Sequence, residues 1–185
     1  MSYNEILDSE VQPEAPITSS IGFRFRDNPL SIAAREVGAP HMAPPRIVVL
    51  NAGTSGNWTV PDGCYGIRVT CVGGGSGATR SSVGFSIGGA GGVAIATLLD
   101  LMPGSTIAYS VGAGGSGRDG GGGNTTFGAI TAKGGSEGWP TYSLAGLGGS
   151  ASGGDINING EDGYFLSGHG GFGGSTMFGD GGRAW

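Results

Sequence analysis

This sequence is poor in almost everything from which a catalytic site or a nucleic-acid surface is built. Only 12% of its 185 residues are charged, Lys133 is its one lysine, and nine basic side chains stand against fourteen acidic ones, for a net charge of −5. A phosphate backbone calls for a basic face, so the composition argues against nucleic acid as a partner. No Gly-Lys-Ser or Gly-Lys-Thr occurs, which removes the phosphate-binding loop. The two histidines, His41 and His169, and the two cysteines, Cys64 and Cys71, include no ligand pair at zinc-site spacing. Nor do the histidines have a nucleophile and an acid at positions that would make a hydrolytic triad. A non-enzymatic protein without a cofactor is expected. No apolar run reaches 18 residues, and Met1-Ser2-Tyr3-Asn4-Glu5 lacks the basic and then apolar order of a secretory signal. Production in a cytoplasm without membrane insertion is the expectation.

Large side chains are scarce too: 7 Phe, 5 Tyr and 3 Trp. What is abundant is glycine, 43 residues, of which only Gly22 and Gly38 precede residue 50. It comes in bursts such as Gly73-Gly74-Gly75-Ser76-Gly77, Gly88-Gly89-Ala90-Gly91-Gly92 and the stretches 112–123 and 168–174. Glycine never recurs strictly at every third place over a long run, which excludes collagen. The bursts are punctuated by apolar strand-like runs at 67–72, 93–101, 107–111 and 130–132, which favours order over a flexible linker. Beyond Gly112 the bursts predict polyproline II-type backbone, three residues per turn, whose N–H and C=O groups must be satisfied by neighbouring segments. A thin core and a glycine-rich backbone that is costly to order point to oligomerisation, with a trimer favoured.

The fold expected is mostly β: a sandwich-like or hairpin module, a glycine-rich polyglycine II-like distal region and one short N-terminal helix. Three parts are expected, at 1–46, 47–111 and 112–185. In the first, Asn28 is read as a helix cap, Pro29 as the first helical position and 30–37 as the body, closed by Gly38 and Pro40. Phe23, Phe25, Arg26, Leu30 and Val37 are its candidate docking residues. In the second, Pro61-Asp62-Gly63 is a turn, and a strand from Cys64 places Tyr65, Ile67, Val69 and Cys71 on one face. Cys64 and Cys71 would then lie about 23 Å apart at ~3.3 Å per residue, too far to bridge within the chain. The runs at 93–101 and 106–111, joined by Met102-Pro103-Gly104-Ser105, are read as a β-hairpin.

In the third part, Asp155-Ile156-Asn157-Ile158-Asn159-Gly160 matches the first half of a calcium loop, but the twelfth position is Leu166 rather than Glu, which excludes an EF-hand. The preferred reading is a short strand with Ile156 and Ile158 inward and a turn at Asn159-Gly160. A loose calcium site on Asp155, Asn157, Asn159 and Asp162 is the alternative. A weak repeat links 122–128, Gly-Gly-Asn-Thr-Thr-Phe-Gly, with 173–179, Gly-Gly-Ser-Thr-Met-Phe-Gly. Aromatic residues among glycines have small neighbours and suit surface recognition. Trp139, Tyr142, Tyr164, Phe165, His169 and Phe172 are the candidate receptor-binding residues.

Asn57-Trp58-Thr59-Val60-Pro61-Asp62-Gly63, followed by the alternating strand to Val72 and by Gly73-Gly74-Gly75, resembles a module of the glycine-rich tail-fibre and adhesin proteins of tailed bacteriophages. The stretch 88–128, with its Gly-Gly-Ala-Gly-Gly, Pro-Gly turn and Asn124-Thr125-Thr126-Phe127-Gly128, is similar to the continuation of that module. The resemblance implies packed polyglycine II helices whose loops meet the host surface, a polysaccharide or an outer-membrane protein. It implies an N-terminal arm, here with Arg26-Asp27-Asn28-Pro29-Leu30, that binds other virion proteins. It places the protein in the virion tail, assembled in the bacterial host cytoplasm. The chain departs from large fibres in its short length and lack of coiled-coil heptads. The alternatives are a head, neck or baseplate component without a receptor role, and an ice-binding polyglycine II protein.

Overall fold

The computed structural model describes residue 6 and residues 18–33, 46–81, 84–116, 120–138, 145–166, 170–179 and 183–184. The chain forms two compact units, Met1–Arg46 and Ile47–Trp185. In the first, the one helix among the described residues, α1 (Ser19–Ala33), runs for 15 residues. Its start differs from the expected one. Thr18, not Asn28, caps it: the Thr18 Oγ1 accepts the Ile21 N–H at 3.4 Å, and the Thr18 carbonyl accepts the first intrahelical bond, from Gly22, at 3.1 Å. Pro29 therefore lies inside the helix, where it denies the Phe25 carbonyl its usual i+4 donor. Val37 and the expected C-terminal end lie outside the described residues.

Among its described residues the second unit has strands and no helix. One antiparallel sheet has the order β1 (Ser55–Thr59), β6 (Thr106–Ser110), β7 (Thr125–Phe127), β8 (Ile130–Ala132), β9 (Ala151–Ser152). The other has the order β10 (Ile156–Ile158), β5 (Val93–Leu98), β2 (Ile67–Val72). Between them lies a small core of Cys71, Ala94, Ala96, Phe127, Ile130 and Ala132, flanked by Trp58, Ile67, Val69, Leu98, Ile107 and Tyr109. Trp58 tilts onto Phe127 at 5.8 Å between ring centroids. The alternation expected for β2 is present from Ile67 on, with Ile67, Val69 and Cys71 turned inward and Arg68 and Thr70 exposed, but the strand starts at Ile67 rather than Cys64 and Tyr65 is exposed. The turn at Pro61 closes with the Cys64 N–H on the Pro61 carbonyl, and Gly63 takes φ +73°.

The hairpin expected at 93–111 is not formed. Its Pro103-Gly104 turn exists, with the Ser105 N–H on the Met102 carbonyl and Gly104 at φ +81°, but β5 and β6 belong to different sheets. The intervening residues are tied elsewhere: Leu101 donates to the Tyr65 carbonyl and Gly104 to that of Val60. The connection thus crosses from one sheet to the other.

Residues facing the core shrink steadily in one direction along the strands. β2 reads Ile67, Val69, Cys71 and then Gly73; β5, taken backwards, reads Leu98, Ala96, Ala94 and Gly92; β8 reads Ile130, Ala132 and Gly134. Sheets separated by side chains pack about 10 Å apart, whereas hydrogen-bonded neighbours lie about 4.8 Å apart. The taper closes this gap. At its narrow end Thr125, 6% exposed, bridges the sheets: its Oγ1 accepts the Gly112 N–H at 3.0 Å and donates to the Val72 carbonyl at 2.6 Å.

Past that point the two sheets bond to each other directly. The stretches 73–77, 87–92, 112–116, 120–124, 133–136, 146–150, 159–163 and 173–175 form a lattice of backbone hydrogen bonds. The bonds recur every third residue: Gly74 and Gly77 donate to Gly123 and Gly120, Gly92 and Gly89 to Lys133 and Ser136, and Gly146 and Gly149 to Ile87 and Ala90. In a β-strand the recurrence would be two; three is the period of polyproline II backbone. The lattice begins at Gly73, well before Gly112, because the bursts at 73–77 and 88–92 meet the same conditions as the later ones. The stretch 87–92 lies at its centre, bonded to five others and buried along its whole length, with Ile87 1% and Ala90 4% exposed.

Glycine serves the lattice by lacking a β-carbon. Among the described residues the positive-φ glycines are Gly53, Gly63, Gly104, Gly128 and Gly153, all outside the lattice. A methyl group on Gly91 would run into the Gly73 carbonyl, and one on Gly122 into that of Gly74. Asn159-Gly160, expected as a turn, instead runs straight on: Gly160 donates to Gly149 and packs its Cα against Ala90.

Strand and lattice are continuous. In the first of four hairpins, the register Val72↔Val93 carries on unchanged through Gly73–Gly92 and Ser76–Gly89 to β3 (Thr79–Ser81) against β4 (Gly84–Ser86), paired as Thr79↔Ser86. The second extends the β6–β7 register to Gly123–Ala113, and the third the β8–β9 register to Ser136–Leu147. The fourth passes from β10 through 159–163 into β11 (Tyr164–Leu166) and returns by β12 (Gly170–Phe172) and 173–175, with β13 (Arg183–Ala184) beside β12. No break occurs at 111–112.

Gly91→Ala should therefore lower stability by about 3 kcal/mol or more, because backbone cannot give way as a side chain does. Gly121→Ala, whose methyl would meet only a carbonyl at 3.7 Å, should leave stability unchanged or raise it by about 0.5 kcal/mol. Thermal and urea unfolding of both variants checks the contrast. Thr125→Val keeps the shape but strands the Gly112 N–H and the Val72 carbonyl, and should cost roughly 1–3 kcal/mol in the same assay.

Candidate functional site

The described arms of the four hairpins all run out to the same end. Each hairpin is rooted in the sandwich, and its arms reach Ser81 and Gly84, Ser116 and Gly120, Ser136 and Gly146, and Leu166 and Gly170 at the lattice end remote from it. Bonds between hairpins continue close to these arm ends: Gly77 to Gly120, Gly163 to Gly146 and Gly174 to Gly88. Four pairs of arm ends are thus fixed at one end of a backbone-bonded scaffold, an arrangement suited to presenting the sequences that join them.

The sequence-predicted receptor residues fall on the third and fourth hairpins. Tyr164 opens β11, 64% exposed, opposite half-buried Phe172 in β12. Phe165 follows Tyr164 in β11, opposite Gly171. Trp139, Tyr142 and His169 lie outside the described residues, on the third and fourth connections. Sequence reading missed Leu147, 63% exposed beside Ser136, whose Oγ accepts the Leu147 N–H at 2.8 Å. A large apolar residue inside a glycine burst was the available signal. Phe178, 60% exposed, lies back along the flank of the lattice, on a turn closed by mutual bonds between Thr176 and Gly179. That turn also shows the limit of the weak repeat, since the matching Thr126-Phe127 are ladder residues of β7.

The oxygens of the alternative calcium set are each occupied by a separate backbone donor. Asp155 accepts from Thr97 at 2.7 Å, Asn157 from Gly154 at 3.0 Å, Asn159 from Ala151 at 3.3 Å and Asp162 from Gly148 at 2.7 Å. They complete the bonding of backbone amides in the lattice and at its borders, as Asn124 does for Gly134 at 3.0 Å. Among the described residues no three His, Cys, Asp or Glu gather as a metal site. The pattern Gly-x-Ser-x-Gly occurs at 84–88 and 134–138. Ser86 is buried in β4 and Ser136 sits in the lattice, so neither stands on the strand-to-helix turn that exposes a nucleophile.

In the first unit, the docking candidates Phe23, Phe25 and Leu30 are 54%, 61% and 51% exposed. Arg26 lies 5.0 Å over the Phe23 ring and holds Asp27 through two bonds, Nε to Oδ1 at 2.6 Å and Nη2 to Oδ2 at 3.2 Å. Those bonds pull the Asp27 carboxyl below the ordinary carboxylate range and raise the Arg26 guanidinium. No helix among the described residues is long and apolar enough to cross a membrane.

Both cysteines are free. Cys71 is 3% exposed, and burial pushes its thiol pKa up, while Cys64 is half-buried at the opposite end of the sandwich from the lattice. Less thiolate and no access should make Cys71 inert until the protein unfolds. A thiol titration of the native protein should register Cys64 alone, and both in denaturant.

No curated protein matches this chain. Residues 50–185, which hold both sheets and the whole lattice, match the family described as the glycine-rich domain, and the chain belongs to that family.

Proposed function

We propose that this is a structural virion protein of a tailed phage, a tail fibre or tail-tip adhesin that attaches the particle to the host surface through the connections of its four hairpins. The observation that carries this reading is the collection of the outer arm ends of all four hairpins at one end of a scaffold whose interior is hydrogen-bonded backbone. Such a scaffold tolerates change at its turns, since what fixes each hairpin is the register of its arms. Tyr164 and Leu147 supply exposed apolar contact, and Trp139, Tyr142, Phe165, His169 and Phe172 are carried by the same two hairpins. The separate first unit, with Phe23, Phe25, Arg26 and Leu30 on an exposed helix, would bind other virion proteins. The partner on the host is a surface polysaccharide or an outer-membrane protein, met by several copies of the chain so that weak single sites add up. The protein is read as a binding component, without catalytic residues or cofactor.

Replacing Tyr164 by Ala together with residues 139–142 by Gly and Ser should reduce binding of the purified protein to host cells roughly tenfold or more, with unchanged circular dichroism. Antibody labelling in electron micrographs should place the protein on the tail of purified particles. Label on the head or neck, or none, would defeat the assignment.

A further inference from the structure

The run Ile47-Val48-Val49-Leu50 is the most strand-prone four-residue stretch of the second unit outside its sheets, with three β-branched residues in succession. It belongs to no ladder, and its backbone makes no hydrogen bond to any described residue. Ile47 is 90%, Val49 77% and Val48 48% exposed, a degree of apolar exposure that scattered surface residues do not reach in sequence. Leu50 packs against the core to which Cys71 of β2 belongs, so the run sets out from the sandwich itself.

The same unit has an open sheet edge. β2 pairs with β5 on one side and, among the described residues, with no strand on the other, where the Val72 carbonyl is taken by the Thr125 hydroxyl and the edge is free at Arg68 and Thr70. It carries neither proline nor bulge, and pairs without interruption from Ile67↔Leu98 to Val72↔Val93. Arg68 is its one charge. Edges of this kind accept a further strand unless something blocks them. Among the described residues an unpaired run and an edge free at Arg68 and Thr70 therefore coexist, each supplying what the other lacks: backbone donors and acceptors, and an apolar surface to cover.

We propose that residues 47–50 of one copy add as a strand to the β2 edge of a second copy, so that a closed homo-oligomer forms in which every copy gives one strand and receives one. Addition extends the β10-β5-β2 sheet across the subunit boundary and gives the exposed run its ladder. Alternation turns Val48 to one face and Ile47 and Val49 to the other, while Leu50 stays packed on the core of its own copy and anchors the run there. Reciprocal exchange satisfies closed rotational symmetry, which caps every β2 edge and leaves none to propagate into a filament.

The test uses the purified full chain, without host or particle, so its outcome is separate from that of the adhesive reading. Light scattering at about 50 µM, a concentration at which a micromolar self-association is saturated, should give a mass that is a whole multiple of 18.2 kDa. Val49→Pro, which removes a donor from the added strand, should give the monomer mass. Ile47→Lys, at a side chain too exposed for the monomer's folding to depend on it, should do the same. Hydrogen exchange should show the amides of 47–50 and the outward amides of β2 protected in the wild type and released together in both variants. A wild type that stays monomeric, or an oligomer in which 47–50 exchanges freely or that survives both substitutions, overturns the proposal.

Discussion

The direct hydrogen bond between two sheets, face to face rather than edge to edge, is the interaction on which this structure rests. Ordinary sheets cannot form it, because side chains hold them about 10 Å apart and the amides point along the sheet. Here the side chains dwindle to nothing over three positions of each strand, and the backbone winds from a period of two to a period of three. Its donors then point successively at different neighbours. The interior around 87–92 is consequently peptide groups rather than hydrocarbon, with Ile87 and Ala90 as its only side chains of any size. The Val72–Thr125–Gly112 bridge marks where one mode of cohesion hands over to the other.

Much of this was legible in the sequence. The alternation of 67–72, the turns at Pro61 and Pro103 and the three-residue logic of the glycine bursts all rest on local rules that the tertiary structure respects. What was not legible was the partner of each strand. β5 and β6 flank a good turn, and local rules cannot say that the two belong to different sheets. Asn159-Gly160 looks like a turn because that dipeptide favours positive φ, whereas here the glycine is needed for close approach to Ala90. Asn28-Pro29 looks like a helix start because proline is commoner at the first turn than inside a helix, whereas here the Thr18 hydroxyl caps the helix and Pro29 lies within it.

The candidate site shows the same division. That aromatic residues sit among glycines can be read directly from the sequence; that the arms of the third and fourth hairpins run out to the same end as those of the first two follows only from the registers. The registers also separate residues that looked alike: Tyr164 stands near the outer arm ends, while Phe178 lies on the flank. Asp155, Asn157, Asn159 and Asp162 looked like ligands because of their spacing, and the structure gives each a backbone donor at a border of the lattice. Polar side chains there accept backbone amides as carbonyls do elsewhere in the lattice.

Unbroken register through both backbone states sets a unit of length. A strand keeps its facing when it grows by two residues, but a lattice stretch keeps its facing only when it grows by three, about 9 Å at ~3.1 Å per residue. A hairpin of this protein can therefore lengthen or shorten in steps of three residues per arm without disturbing which glycines face inward or where its root enters the sandwich. Reach becomes a quantised property of each finger, adjustable one finger at a time, and a lineage of such proteins could alter the height of its contact surface by insertions and deletions while the sandwich below stays as it is.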